Sequence, residues 1–308
     1  MYLKYFGLKE LPFSLVPAAR YFVPVADQSS AVDRVRRALE ARDALVKVTG
    51  ESGIGKTIIS HYLQTSLSPQ MVIVVMPDLL VSNRGFIRSL AEGLGFTAPV
   101  DFSDDALCLE LLSCIEKLRE AGKDIVLLVD EAQCLSGSML ETLSRLSGLA
   151  RGGEPLLQMV LLGQPALDEI LETPPGLPLK SRVTDSVQVG PLSEGCVRSY
   201  VNQRLAYAGC RGVDLFQPDA IRSVCLASRG IPRVINLLCH KALCAAYRQS
   251  EVLVRQHHVL QASQELGETP VAAPVSDLRS RSGKIFLLVL SVVVSSGMMW
   301  ALIQVIGR

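Results

Sequence analysis

The feature that most constrains this 308-residue sequence is a glycine-rich segment, GESGIGKT, at residues 50 to 57. A short apolar stretch, ALVKVTG, runs straight into it, and a helical pattern follows over residues 57 to 67. The segment fits GxxxxGK[ST], in which the glycines let successive backbone N–H groups converge on phosphate oxygens. Lys56 would add a positive charge there, and the Thr57 hydroxyl could bind Mg²⁺. The flanking strand and helix favour a phosphate loop over a plain glycine-rich turn.

A second element is an apolar stretch, DIVLLVD, that ends in Asp130 and Glu131. At the end of a buried strand, the first carboxylate would lie near a metal ion and the second where an attacking water is oriented. Two solvated acids at a strand end are the alternative for this stretch taken alone. Together, the two elements predict a site that binds ATP with Mg²⁺, the metal held by Thr57 and Asp130, and Glu131 catalytic in hydrolysis. The predicted nucleotide-binding residues of the loop are Gly50, Glu51, Ser52, Gly53, Ile54, Gly55, Lys56 and Thr57.

Buried strands and helices alternate through the first two thirds of the sequence. Near-continuous apolar runs at 44–50, 71–76, 124–130 and 156–163 are typical of strands covered on both faces of a parallel sheet. Helical patterns occur at 29–42, 57–67, 84–94 and 104–121, so the pattern predicts a wound α/β sheet. From about residue 193 the pattern predicts three helices and a weaker fourth one at 255–266.

Charge and cysteine content limit the possible functions. Lys plus Arg is 31 and Asp plus Glu is 30, so the net charge of +1 provides no global attraction for nucleic acid. The eight cysteines form no CxxC pair, and several lie in apolar runs, which suggests a reducing compartment. Cys239, His240 and Cys244 are too few to form a four-ligand metal site at workable spacing.

Residues 285 to 306 carry no charge and would span about 33 Å as a helix, enough to cross a bilayer core. A polar, proline-containing segment at 267 to 284 precedes them and reads as a linker. Basic residues are more frequent before the apolar stretch (Arg279, Arg281, Lys284) than after it (Arg308), which places the N-terminal side in the cytoplasm. We therefore expect a single transmembrane helix, with a buried C-terminal helix as the alternative.

Several segments, in order, are similar to those of one family: YFGLKELPFSLVP, GESGIGKT, LLVDEAQ, LLQMVLLGQPALDEIL, PLSEGCVRSYVNQRLAYAG and SRGIPRVINLLCHKAL. From about residue 1 to 264 the sequence resembles the AAA+ ATPases of the general secretion pathway protein A type, of which the MSHA-pilus biogenesis protein M is a close relative. The resemblance implies an AAA+ P-loop fold, a five-stranded parallel sheet followed by an α-helical lid. The expected organisation is a lead-in motif (1–28), an AAA+ core (29–192), a lid (193–266), the linker (267–284) and the membrane helix (285–306).

The resemblance also implies roles for single residues. Gln164 falls where a polar residue at a strand end senses the γ-phosphate, although a Gln-Pro turn needs no function. Arg182 matches the catalytic arginine that reaches a neighbouring subunit's nucleotide, although it could be a solvated surface arginine. Arg233 matches a lid arginine that contacts the bound nucleotide. The N-terminal residues expected beside the adenine are Phe6, Pro12 and Phe13.

The family resemblance implies an ATPase in the bacterial inner membrane that acts in assembly of a secretion system or a type IV-pilus-like machine. A homo-oligomeric ring is expected, with an envelope component or a separate peptidoglycan-binding protein as partner, since this sequence lacks the family's external peptidoglycan-binding domain. Residues 146–158 also lack the Asn and acidic residues expected there. The alternatives are a DNA-acting AAA+ ATPase of the transposition or origin type, against which the missing basic domain argues, and a docking switch that binds ATP without hydrolysis.

Overall fold

The computed structural model describes residues 2–16, 22–23, 25–76, 82–97, 103–210 and 214–267. Strands and helices alternate up to residue 188, and helices alone follow. The strands are β1 (Leu45–Thr49), β2 (Met71–Met76), β3 (Asp124–Val129), β4 (Ala150–Arg151), β5 (Glu154–Pro155), β6 (Gln158–Gly163) and β7 (Val183–Gln188). The helices of this first part are α1 (Ala26–Glu40), α2 (Lys56–Ser66), α3 (Asn83–Gly93), α4 (Asp104–Glu120), α5 (Gly137–Ser147), α6 (Ala166–Leu171) and α7 (Leu177–Lys180). Those of the second part are α8 (Glu194–Tyr207), α9 (Pro218–Ser228), α10 (Pro232–Arg248) and α11 (Gln256–Leu266).

The main sheet has five strands in the order β2–β3–β6–β1–β7, and every neighbouring pair is parallel. This confirms the expected five-stranded parallel sheet. Strands β3 and β6 are buried along nearly their whole length, because helices cover both faces of the sheet. Helices α1 and α2 pack on one face, and α3, α4 and α5 pack on the other.

The ends of the predicted elements agree with the structure to within three residues where a pattern was visible. Strand β7 was not visible, because its sequence, VTDSVQ, is polar and its side chains alternate between exposed and partly buried positions. Helix α5 was also missed, although Ser136 caps it by accepting a hydrogen bond from the Met139 N–H. A polar edge strand gives a weak pattern, whereas α5 carries buried apolar residues at helical spacing that do indicate a helix: Met139, Leu140, Leu143 and Leu146.

Helices α8 to α11 share one apolar core with the N-terminal segment. Tyr2, Phe6, Leu8 and Phe13 are buried in this core, and the Phe13 ring meets the Phe216 ring edge-on with centroids 6.0 Å apart. The lead-in motif is thus irregular in backbone, as expected, but packs as part of the helical body. The described residues up to Gly267 belong to a single compact unit.

The segment between α5 and β6 forms the β4–β5 hairpin. Glu154 of this hairpin pairs with Arg42 and lies 3.5 Å from Arg119. The hairpin therefore lies near the start of β1, whereas the glycine-rich loop follows the end of this strand. Beyond Gly267, the predicted linker and the predicted membrane helix at 285–306 lie outside the described residues. Among the helices that the structure does describe, none is long and apolar enough to cross a membrane.

Candidate functional site

The glycine-rich loop joins β1 to α2 at the carboxyl-terminal ends of the parallel strands. Gly53 and Gly55 have φ values of +77° and +109°, which only glycine adopts without strain. The Lys56 side chain turns back over the loop and donates to the carbonyls of Gly50 (2.7 Å) and Glu51 (3.0 Å). The backbone is therefore wound around the lysine in the manner that a phosphate cradle requires.

The environment of Lys56 couples it to the acidic pair. Lys56 is only 4% exposed, and burial lowers the pKa of its ammonium group, while the carboxylates of Glu131, Asp130 and Glu51 act in the opposite direction. The expected proximity of the loop and the two acids is thus present. The ammonium group favours an anion and the carboxylates favour a cation, so together they suit a phosphate group that is paired with a metal ion.

Asp130 and Glu131 follow directly after β3. Asp130 is 7% exposed, and its Oδ1 accepts a hydrogen bond from the Glu131 N–H at 2.9 Å. Glu131 has φ +50°, an uncommon left-handed conformation for a residue that is not glycine. This turn lets the two consecutive carboxylates serve different positions, with Asp130 buried at the strand end and Glu131 exposed at the cavity.

Two glutamine side chains hold the Glu131 carboxylate. The Gln133 side-chain oxygen accepts from the Gln164 N–H at 2.9 Å, so its amide nitrogen is left to donate to Glu131. The Gln164 side chain lies 3.5 Å from the same carboxylate oxygen. Gln164, for which the family resemblance implies a role, therefore lies next to Glu131, because β6 and β3 end side by side. Gln133 was not predicted, although it stands in the DEAQ segment.

A cavity of about 310 Å³ opens at this edge. Its phosphate-loop side contains Lys56 and Thr57, and Glu131 lines it as well. Its opposite side comes from α8 and α10, and the N-terminal segment 14–16 closes it. The residues contributed by the helices are Tyr200, Pro232, Arg233 and Asn236.

Arg233 lies where the helical part touches the glycine-rich loop. Its N–H donates to the Gly53 carbonyl at 3.1 Å, and its exposed side chain lines the cavity. A Cβ at Gly53 would come within 2.8 Å of the Arg233 Cβ, so the absence of a side chain at Gly53 permits this contact. The first turn of α10 and the loop are thus directly joined.

Arg182 does not line the cavity. Its Nη1 donates to the Ser144 carbonyl (3.2 Å) and to the Ser147 hydroxyl (3.0 Å), so it packs against the C-terminal end of α5. A role at a neighbouring subunit's site stays a prediction, since the described chain is a single copy.

The aromatic residues of the N-terminal motif do not reach the cavity, contrary to what the family resemblance suggested. Phe6 and Phe13 are buried among the helices, while the cavity is lined by Ser14, Leu15 and Val16. The large apolar rings gain more from a dry core than from the edge of an open cleft.

Gln28 of α1 contacts the glycine-rich loop and holds its backbone by a hydrogen bond. It is 4% exposed, and its amide nitrogen donates to the Ile54 carbonyl at 3.1 Å. Its amide also lies 3.0 Å from the position that a Cβ of Gly55 would take. Gln28 was missed from the sequence, because no local pattern marks a contact 26 residues along the chain.

The donors at the cavity suit Mg²⁺ and a phosphate chain. Mg²⁺ prefers oxygen ligands; the Thr57 hydroxyl lines the cavity, and the Asp130 carboxylate is buried next to Glu131, which also lines it. The left-handed glycines and the start of α2 supply backbone N–H groups for phosphate oxygens.

A second cluster, outside this cavity, brings Glu251, His257 and His258 within 4.8 Å of one another. The His258 Nδ1 accepts a hydrogen bond from the Arg255 N–H at 3.0 Å, so in the neutral ring the proton is on Nε2. That nitrogen has no free lone pair for a metal, and the contact is explained as a cap at the start of α11.

Comparison with known proteins agrees with the fold and the site. A family model described as "AAA domain" matches residues 39–171. General secretion pathway protein A of Aeromonas hydrophila is 36% identical over 250 residues, which cover 80% of this chain and 45% of that protein. The chain thus spans less than half the length of this relative.

Two solved structures share the fold at low sequence identity. Cdc6p of Pyrobaculum aerophilum has a TM-score of 0.63 at 18% identity, covering 82% of this chain and 70% of that one. The ORC2 protein of Aeropyrum pernix, solved as ADPNP–ADP complexes, has a TM-score of 0.60 at 16% identity, covering 87% and 73%. From the sequence relative, the AAA domain match and this architecture, the chain belongs to the AAA+ P-loop ATPases of the general secretion pathway protein A type.

Proposed function

We propose that the protein binds ATP with Mg²⁺ in the cavity between the glycine-rich loop and the helical part, and hydrolyses it. The observation that carries this proposal is that Lys56, Thr57, Glu131 and Arg233 line one cavity although they come from separate segments. In this proposal, residues 50 to 57 bind the phosphates through loop N–H groups and the Lys56 ammonium. Thr57 and Asp130 hold Mg²⁺, which would neutralise charge on the phosphate oxygens.

Glu131 is the proposed catalytic base. Its carboxylate is fixed by Gln133 and lies beside Gln164, so it can orient a water molecule and accept its proton. Gln164 lies beside the same carboxylate and would sense the terminal phosphate. Arg233 brings a permanent positive charge from the helical part, so closure of that part depends on the nucleotide.

We further propose that the protein works as a homo-oligomeric ring, in which Arg182 serves the site of a neighbouring subunit. The guanidinium is held at the end of α5 by two hydrogen bonds, which would limit its motion before a neighbour docks. A forked, permanently charged group is suited to the charge that spreads over phosphoryl oxygens during transfer.

The proposed setting is the bacterial inner membrane, with the ATPase on the cytoplasmic side and the uncharged stretch 285–306 as a single anchor. The proposed role is the assembly of a secretion system or a type IV-pilus-like envelope machine. Two observations support it: the similarity to general secretion pathway protein A of Aeromonas hydrophila and the charge pattern around the apolar stretch. The partner would be a component of that machine or a separate peptidoglycan-binding protein.

The enzymatic part is tested by measuring phosphate release by the full-length chain and by its Lys56→Ala variant. We expect Mg²⁺-dependent turnover that the substitution abolishes. Turnover that is unaffected by Lys56→Ala would refute the proposed site, whereas tight ATP binding with no turnover in the unmodified chain would indicate a docking switch.

The membrane part is tested separately. The full-length chain is mixed with phospholipid vesicles and washed with alkaline carbonate, and we expect it to stay with the lipid. Crosslinking in native membranes should then recover envelope components. Release by the wash would contradict the anchor and leave the ATP site untouched.

A further inference from the structure

On the side of the cavity away from Lys56, polar side chains are linked by hydrogen bonds, and the donor and the acceptor of each bond can be assigned. Arg204 of α8 is 1% exposed and donates to the Pro12 carbonyl (2.7 Å), the Ser14 carbonyl (3.0 Å) and the Tyr200 hydroxyl (3.3 Å). Arginine has no acceptor, so the Tyr200 oxygen must accept in this contact. Arg204 thereby attaches the N-terminal wall of the cavity to α8.

The direction of the next hydrogen bond follows from this one. The Tyr200 oxygen accepts from Arg204, so its own O–H is free to donate, and it lies 3.0 Å from the Asn236 Oδ1. Burial raises the pKa of Tyr200, so the hydroxyl keeps its proton. The orientation of the Asn236 amide is therefore determined by the network, with Oδ1 towards Tyr200.

The other end of the Asn236 amide faces the cavity. Asn236 lines the cavity, and its Nδ2 has no hydrogen-bond partner among the described residues and is not sealed from solvent. A fixed N–H donor is thus presented to the cavity on the side formed by segment 14–16 and α10. Lys56 and Thr57 mark the phosphate end, so this side would receive the base.

We propose that Asn236 binds the base of the nucleotide by donating from Nδ2 to an acceptor nitrogen of the ring, and that Tyr200 and Arg204 are positioning residues for it. This inference rests on the proposed nucleotide site and adds to it the residue that reads the base. A ring nitrogen with a lone pair satisfies Nδ2, whereas a ligand without a base leaves this donor to water.

The experiment compares two ligands of the full-length chain, MgATP and magnesium tripolyphosphate, by calorimetric titration. Tripolyphosphate has the phosphates but no base, and its affinity can also be obtained by competition with ATP. With Asn236→Leu we expect ATP to bind about tenfold more weakly, the value of one hydrogen bond, and tripolyphosphate to bind as before. Equal losses for both ligands, or an unchanged affinity for ATP, would overturn the proposal.

Tyr200→Phe tests the positioning role. Without the hydroxyl, the Asn236 amide can rotate and present either end, so the ATP affinity should fall by less than in Asn236→Leu, with tripolyphosphate again unaffected. Tyr207→Phe is the matched control, because Tyr207 is on the same helix, is 51% exposed and does not line the cavity. An equal effect of the two tyrosine substitutions on ATP would contradict the positioning role.

The two proposals fail in different ways. If the unmodified chain binds neither ligand, the nucleotide site itself is refuted. If it binds both and Lys56→Ala weakens both, the phosphate site stands, and only the difference between ATP and tripolyphosphate in the Asn236→Leu chain decides the role of Asn236. Should Asn236→Leu fail to fold, the Tyr200→Phe comparison gives the same decision.

Discussion

The contact between Gly53 and Arg233 makes a quantitative prediction for Gly53→Ala. Gly53 has φ +77°, and an added Cβ would lie 2.8 Å from the Arg233 Cβ and 3.4 Å from a methyl group of Ile231. Carbon atoms in contact prefer about 3.5–4.0 Å, so the start of α10 must move away by about 0.7 Å or more. This motion would stretch the 3.1 Å hydrogen bond from the Arg233 N–H to the Gly53 carbonyl.

The expected cost has two parts. A left-handed alanine costs about 1–2 kcal/mol relative to glycine. The displaced contact and the weakened hydrogen bond add about 1–2 kcal/mol. Gly122→Ala is the matched control, because Gly122 has φ +73° and nothing lies within 4 Å of its Cβ position. The cost of the left-handed backbone is common to both variants, so the difference in their unfolding free energies isolates the contact of the helical part with the loop.

The assay measures thermal unfolding and ATP affinity of both variants. The extra loss of about 1–2 kcal/mol should lower the Tm of Gly53→Ala by about 2–8 °C more than that of Gly122→Ala. ATP affinity should fall by about tenfold in Gly53→Ala alone, because only this variant alters the phosphate-binding loop and its contact with Arg233. Equal Tm shifts together with equal affinities would show that the contact contributes nothing and would refute the reasoning.

Three further predictions concern Glu131, Arg182 and His258. Glu131→Gln should reduce phosphate release by about 10²–10⁴-fold while ATP still binds, because an amide cannot accept the proton of water; normal release would exclude the catalytic base. Subunits carrying Arg182→Ala, mixed with Glu131→Gln subunits, should recover turnover that neither has alone, and no recovery would contradict a role across the interface. Burial and neighbouring His257 lower the pKa of His258, so stability should fall as the pH drops through about 6.5, where the unfolded histidine gains its proton. His258→Gln keeps an acceptor for the helix cap without titrating, so urea unfolding should depend less on pH in this variant; an unchanged pH dependence would exclude His258 as its source.

Sequence reasoning located most of the sheet and the phosphate end of the site, for physical reasons. Strands β1, β2, β3 and β6 are nearly continuous apolar runs, and a parallel sheet brings their carboxyl ends together, so the sequence alone predicts that Lys56 and Glu131 lie close to each other. Strand β7 escaped detection because a polar edge strand has no such run.

The base end of the cavity could not be predicted in the same way. Tyr200 and Asn236 are 36 positions apart and Arg204 and Pro12 are 192 positions apart, and no spacing rule marks such contacts. For the N-terminal motif the prediction was only partly correct. The motif does contribute to the cavity wall, but through Ser14, Leu15 and Val16, whereas Phe6 and Phe13 are buried in the helical core.

The shared core of the N-terminal segment and the last four helices has a mechanical consequence. Because both ends of the described chain are packed into one body, a rigid rotation of α8–α11 carries segment 14–16, Arg233 and Asn236 together. In the proposed function, the nucleotide would lie between two parts: the sheet with its loop and carboxylates, and a helical body formed by the first and last segments of the described chain. A force applied at Gly267, the C-cap of α11, would enter the molecule through this helical body.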